Sequence, residues 1–199
     1  VIRRDAARHR LALGLPARFF LFAGRLVQEK GTFDLLDAYE ALAPEVRKEM
    51  GLVFVGDGAV RSTLQRRAAI INPGSIRFAG FAQREQLPAY YALAEVLVFP
   101  THTDPWGLVV NEAMACGLPV ISSSAAGCVA DLVESGWNGR VVSARDIRQL
   151  ASAMDELARD AELRSLMGKR SKERIRQYSP GAWAAGMANV ALPYRRRAA

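Results

Sequence analysis

The sequence predicts a doubly wound α/β domain of Rossmann type, in which a parallel sheet carries crossover helices. Three observations predict it. Short β-type runs alternate with helical ones from residue 19 onward. The later segments show helical apolar spacing, as in Ile147, Leu150, Ala151, Met154, Leu157 and Ala158. The ends of several strand-like runs carry glycines or charged residues, at the edge where open α/β sheets bind ligands.

Taken in order, Phe19 to Ala23 reads as the first strand, and a helix follows from Thr32 to Ala43. Leu52 to Val55 is the second strand, then a helix from Ala59 to Ala69. Ile76 to Ala79, Val96 to Phe99, Pro119 to Ser122 and Gly139 to Val142 continue the strands. Helices over Glu85 to Ala94, Leu108 to Cys116, Val129 to Glu134, Ile147 to Ala158 and Ala161 to Tyr178 fill the gaps, with a final one over Ala182 to Leu192. The helix from Leu108 is apolar nearly all round apart from Asn111 and Glu112, which predicts that it is buried. No internal repeat or low-complexity segment interrupts the series.

A chain of 199 residues is long enough to bury a substantial core as one domain. Half its residues are hydrophobic and 24% are charged, an ordinary balance for a globular protein. No apolar run reaches the length of a membrane span, and Val1-Ile2-Arg3-Arg4 does not resemble a signal peptide. Cys116 and Cys128 lie in small-residue stretches without metal-ligand spacing, so they read as core filler in a reducing cytoplasm. The net charge of +7 raises nucleic acid as a partner. The basic residues instead scatter between both ends and a late helix, with no aromatic interleaving, which argues against that partner. Peripheral contact with an anionic membrane surface stays open as a minor alternative.

The stretch from Thr101 to Val120 carries the most chemical information. Asp104 stands in a turn-rich loop, Gly107 reads as the hinge into a helix, and Glu112 lies within apolar residues. A buried carboxylate needs partners, and a pair of sugar hydroxyls is one natural set. The helix N-terminus beside it offers backbone N–H groups to an anion such as a diphosphate. After the first strand, Gly24 permits close backbone approach, and Arg25 and Lys30 bracket the loop with two cations. Gly56-Asp57-Gly58 after the second strand lets backbone meet a ligand closely, yet a strand-to-helix turn needs glycine in any case. It lacks the third glycine of a dinucleotide fingerprint. Trp106 either walls a pocket or packs, His102 reads as an incidental loop residue, and Thr101 is within reach of a phosphate in that loop.

These residues resemble a known pattern. The acidic pair Asp104 and Glu112, eight positions apart and followed by Gly117-Leu118-Pro119-Val120, is similar to the donor-site signature of retaining GT-B glycosyltransferases of glycosyltransferase family 4. The first acid is usually Glu in that family, and Asp here withdraws the charge by about one methylene. Gly24-Arg25 with Lys30-Gly31 resembles the family's Gly-Arg…Lys-Gly motif, and the order of motifs follows the family's C-terminal half from Phe19 to Tyr178.

The resemblance implies the C-terminal, donor-binding half of a GT-B fold. Residues 1–18 would be an interdomain lead-in, 19–180 the nucleotide-sugar domain, and 181–199 a C-terminal helix and basic tail. By the same resemblance Arg25 and Lys30 neutralise the donor diphosphate, Asp104 contacts the donor sugar, and Glu112 holds the ribose. Gly107, Leu108 and Val109 would cradle the diphosphate through their backbone, with Thr101 alongside. Gly24, Gly56 and Gly58 would approach the nucleotide, and Gly80-Phe81 would form the base-binding edge. Phe81 reads equally well as a core residue.

The expected donor is a UDP- or GDP-sugar and no metal or other cofactor is required, since fixed cations stabilise the departing diphosphate. The acceptor would be a sugar or lipid-linked sugar, held by an N-terminal half that this sequence lacks. Without that half the domain is expected to turn over slowly or not at all. The location would be cytoplasmic, at or near the inner face of the membrane. The alternative is a non-catalytic nucleotide-sugar-binding or regulatory module of the same fold, with Asp104 as its sequence support. A GT-B epimerase or phosphorylase would need a different acidic spacing.

Overall fold

The computed structural model describes residues 5–71, 74–179, 181–182 and 184–188. Six parallel strands form one sheet: β1 (Phe19–Ala23), β2 (Gly51–Val55), β3 (Ile76–Gly80), β4 (Val96–Phe99), β5 (Val120–Ser123) and β6 (Gly139–Val142). Their order across the sheet is β3-β2-β1-β4-β5-β6, so the chain winds outward from β1 in one direction and from β4 in the other. The expected doubly wound parallel sheet is therefore what forms, and the topological switch lies between β1 and β4.

The helices are α1 (Ala6–Ala12), α2 (Thr32–Glu40), α3 (Pro44–Glu49), α4 (Arg61–Ile71), α5 (Leu87–Leu93), α6 (Leu108–Ala115), α7 (Val129–Leu132), α8 (Ile147–Arg159) and α9 (Ala161–Ile175). Short 3-10 turns occupy Gln28–Lys30 and Arg176–Tyr178. Helices α1 and α3 were not expected. The first buries none of its residues, and the second is six residues long with only Val46 buried, so neither produces apolar periodicity. Most expected elements agree within two residues, but α2 stops at Glu40, three residues short of Ala43. The expected helix from Ala182 lies partly outside the described residues; 181–182 and 184–188 are helical.

Two cores flank the sheet because successive strand residues point to opposite faces. Phe20, Phe22, Leu52, Phe54, Val96 and Val98 face α2, α4 and α8. Phe19, Leu21, Val53, Val55, Leu97 and Phe99 face α5, α6 and α7. Both faces are covered, which is why β1 reads as an unbroken apolar run. The apolar stripe of α8 seats Leu150, Ala153, Met154, Leu157 and Ala158 in the first core, and Asp146 caps its start by accepting from the Gln149 N–H at 2.9 Å.

Pairing between β1 and β4 involves only Phe20 with Val96 and Leu21 with Leu97. Beyond that point the carboxyl ends of the two strands separate. The turn that follows β1 enters the gap: at Gly31, where φ is 66°, an added Cβ would lie 2.0 Å from the Pro100 carbonyl oxygen. Only glycine permits that approach. The sheet thereby opens a crevice at its carboxyl edge, beside the switch point.

Candidate functional site

A cleft of about 240 Å³ lies at this edge, with mainly apolar walls from Ala23, Val55, Phe81, Ala82, Leu87, Tyr91 and Val109. Gly24, Arg25, Gly56 and Asp57 complete its lining. Five residues expected at a ligand site, Gly24, Arg25, Gly56, Phe81 and Val109, thus converge from three separate loops and the first turn of α6. Larger cavities exist elsewhere, but the one framed by Arg18, Glu95 and Arg164 lies at the amino ends of the strands.

The glycines have a reason of their own. At Gly56, φ is 135° and a Cβ would lie 1.9 Å from the Gly24 carbonyl oxygen. At Gly58 a Cβ would lie 2.3 Å from the Leu26 carbonyl oxygen. The loops after β1 and β2 press backbone to backbone, joined by Leu26 N–H donating to Asp57 O at 2.9 Å and Val60 N–H to Leu26 O at 3.2 Å. Gly80, with φ of 79°, ends β3 and accepts from the Gly56 N–H at 2.7 Å. Asp57 is held below the usual carboxylate range, chiefly by the Gly58 N–H and also by Arg61, 2.9 Å away. Phe81 is 70% exposed, so it is not a core residue; its ring stands at the rim of the cleft.

Arg25 is exposed at the mouth, and its guanidinium makes no hydrogen bond or ion pair with the described residues. Helix α6 begins beside it. Gly107, with φ of 96°, occupies the cap position without a side-chain cap, and no acidic residue lies in the first turn. The first amides of α6 therefore have no acceptor within the helix. The expectation that α6 is buried all round is corrected here. Val110, Ala113 and Met114 face the core, whereas Leu108 is 68% exposed and Glu112 is half-buried. One face was left open because the helix forms part of a cleft wall, and an apolar open face does not show in composition.

Glu112 is paired with Tyr91 of α5, whose hydroxyl donates to Glu112 Oε2 at 2.7 Å. Among the described residues no arginine pairs with it. Burial holds the Tyr91 phenol well above its ordinary range, reinforced by the hydrogen bond to Glu112. Tyr91 lines the cleft, although nothing in the sequence singled it out within the helix over Glu85 to Ala94. Its partner stands 21 residues away, so only the tertiary fold reveals the pair.

Lys30 and Asp104 form a second group. Lys30 Nζ lies 2.6 Å from Asp104 Oδ2, and each side chain is only 16% exposed. The other carboxylate oxygen accepts from the Trp106 N–H at 3.0 Å, so Asp104 also serves its turn. Thr101 is fully buried, with its hydroxyl 2.8 Å from Thr103 O and 3.1 Å from Glu29 O. Trp106 packs, its indole N–H donating to Asn111 at 2.9 Å. His102 is not incidental: its Nε2 lies 2.8 Å from Asp34 Oδ2. Cys128 is fully buried, and burial pushes its thiol up to about 11, in keeping with core filler.

Among the described residues, no group of three or more His, Cys, Asp or Glu side chains is placed to hold a metal ion. No helix of the described residues is long and apolar enough to cross a membrane.

The sheet and its helices define a Rossmann-like α/β domain of the GT-B type, and comparison with known proteins identifies its family. Residues 3–174 match the family model of glycosyl transferases group 1, so the chain belongs to that family. It is 30% identical over 180 residues to the sulfoquinovosyl transferase of Arabidopsis thaliana, covering 88% of this chain and 34% of that protein. Sucrose-phosphate synthase from Thermosynechococcus elongatus superposes with a TM-score of 0.76 at 32% identity, covering 96% of this chain and 49% of that one. HepE from Anabaena, solved with UDP and glucose, shares the fold with a TM-score of 0.78 at 22% identity, covering 95% of this chain and 51% of that one. The chain spans between 34% and 46% of the length of the first curated relatives it matches.

Proposed function

We propose that this chain is the donor-binding domain of a retaining glycosyltransferase that moves a hexose from a nucleoside-diphosphate sugar to a hydroxyl acceptor. The observation that carries this reading is the convergence on one apolar cleft of Arg25, without a partner among the described residues, the uncapped start of α6 and the Tyr91–Glu112 pair. Membership of the glycosyl transferases group 1 supports it, as does the likeness in fold to HepE, which was solved with UDP and glucose.

In this reading a flat base enters between Phe81 and the cleft floor. Glu112 accepts from the ribose hydroxyls, with Tyr91 holding one carboxylate oxygen in place. The diphosphate lies over the α6 amides, with Arg25 and Lys30 as fixed positive charges that favour its departure. Asp104 orients the donor sugar. Lys30 has three donors, so it can keep Asp104 and still reach a phosphate oxygen. We expect no metal requirement, because these cations face the charge that develops on the leaving group. A sugar or lipid-linked acceptor would be held by the rest of a longer enzyme, on the cytoplasmic side of the membrane.

The test is ligand-observed NMR with UDP, GDP and ADP in competition, with and without EDTA, repeated on Glu112→Ala. The expected result is selective binding of UDP, unchanged by EDTA and lost in the variant. Binding that survives Glu112→Ala, together with no transfer by the full-length protein, would favour a non-catalytic nucleotide-binding module. No binding to any of the three at millimolar ligand would contradict the donor-site reading.

A further inference from the structure

The geometry points to His102 as a positioning residue: it seats the Asp104 loop against the turn that carries Lys30. The inference rests on the donor-site reading above, because it assigns His102 an effect on donor binding through the Lys30–Asp104 pair.

On one side the loop between β4 and α6 is anchored by backbone bonds and by the Ser123 hydroxyl, which donates to Thr101 O. Asp104 N–H donates to Ala125 O at 3.4 Å, and Gly127 N–H donates to Asp104 O at 2.9 Å. On the other side it meets the 3-10 turn and the start of α2. There His102 N–H donates to Glu29 O at 2.8 Å, and the Thr101 hydroxyl lies 3.1 Å from the same oxygen. Gly31 and Pro100 are in backbone contact just before these bonds.

Two side-chain pairs continue the seam: His102 with Asp34, and Asp104 with Lys30. The first is well shielded, with His102 12% and Asp34 18% exposed. Asp34 lies in the first turn of α2, where the helix dipole favours a carboxylate. The elements packed against His102 carry Asp34, Asp37 and Glu40 on α2, the last two directed to Arg67, and Glu29 and Lys30 on the 3-10 turn, with Asp104 on its own loop.

Lys30 precedes Gly31 directly, and His102 stands two residues before Asp104. A slip of the loop along α2 would therefore part Lys30 Nζ from Asp104 Oδ2. The His102–Asp34 pair joins two side chains across this seam and, with the Thr101 hydroxyl on Glu29 O, resists such a slip between the Pro100 contact and the Asp104 carboxylate. His102 itself touches no donor atom in this scheme. It acts on the diphosphate and sugar through Lys30 and Asp104.

The test uses the chain and three variants, His102→Ala, His102→Gln and Asp34→Asn, with two ligands and one ligand-free readout. UDP-glucose calls on the Lys30–Asp104 pair, whereas UMP, lacking the second phosphate and the sugar, does not. We expect His102→Ala to weaken UDP-glucose on the order of tenfold and to leave UMP within about twofold, the scale of coupling between contacting polar groups. Hydrogen exchange of the Asp104 and Trp106 amides should quicken, with Asp34→Asn acting in the same direction. Gln, whose amide can donate to Asp34, should restore much of the selectivity. Equal losses for both ligands would overturn the inference, as would UDP-glucose affinity unchanged in His102→Ala. Should the unmodified chain bind neither ligand, the donor-site reading falls while the seating remains testable. Amide exchange in His102→Ala identical to that of the parent chain would then overturn the seating.

Discussion

The two ends of the sheet differ in what their arginines do. At the amino end, a cavity of about 350 Å³ is lined by Arg18, Arg159 and Arg164. Arg164 donates to Ala158 O at 2.9 Å, to Leu157 O and to Glu95; Arg18 donates to Ala158 O at 3.0 Å and pairs with Glu49; Arg159 pairs with Asp155. Burial lowers the affinity of Arg164 for its proton, although Glu95 pulls the other way. At the carboxyl end the cleft is smaller, about 240 Å³, yet Arg25 there has no partner among the described residues. Volume does not separate the two places. The partnering of the arginines does: those at the amino end are bonded to the protein itself, whereas Arg25 stands exposed and available to a ligand.

Substitutions at the two ends should therefore fail in different ways. The largest effect is expected at Gly56→Ala. The new Cβ would meet the Gly24 carbonyl at 1.9 Å in a backbone region that side chains rarely adopt. A loss of about 3 kcal/mol or more in urea unfolding follows from overpacking and backbone strain together. Survival of this variant with native stability would break the claim that the two loops are locked backbone to backbone.

Next comes Arg164→Ala, which removes donors from two buried carbonyls and leaves Glu95, with 26% of its side chain exposed, without its counter-charge. About 2 kcal/mol of stability should be lost, a figure discounted for the partial exposure of Glu95. Nucleotide affinity should not change. Arg25→Ala reverses the pattern: the melting temperature stays put, and UDP affinity falls roughly tenfold through loss of one charge-assisted contact. Equal behaviour of the two variants in both assays would erase the distinction between the ends.

The smallest effect is expected at Tyr91→Phe, about 1 kcal/mol of stability at neutral pH. Its sharper signature is alkaline. The Tyr91 phenol is raised above its ordinary value of 10 in the folded chain, mainly by burial. The folded state thus keeps a proton that the unfolded state releases. That stabilisation is fully present below pH 10 and is lost as pH climbs beyond it. Tyr91→Phe should flatten the alkaline limb of the stability profile, and an unchanged limb would contradict the burial of this hydroxyl.

Legibility from sequence follows the same division. Long segments with a strong pattern, such as β1 and α8, were plain, because their burial is written in local periodicity. Helices α1 and α3 were not, being too short to repeat a pattern. At the site, Arg25, Val109 and Glu112 were singled out by their resemblance to family motifs, each read within its own short stretch of chain. Tyr91 and Asp34 were missed because their significance comes from partners 21 and 68 residues distant. Gly56 and Gly58 were noticed as points of ligand approach, and the structure adds that another loop's backbone already requires them.

The most direct test of the account is a backbone-amide NMR titration of the chain with UDP. The expected shifts cluster on Gly24, Arg25, Gly56, Phe81, Tyr91 and Val109, and in Arg25→Ala they require roughly tenfold more UDP. Shifts grouped around Arg18, Glu95 and Arg164 would contradict it, as would the absence of any shift at millimolar UDP.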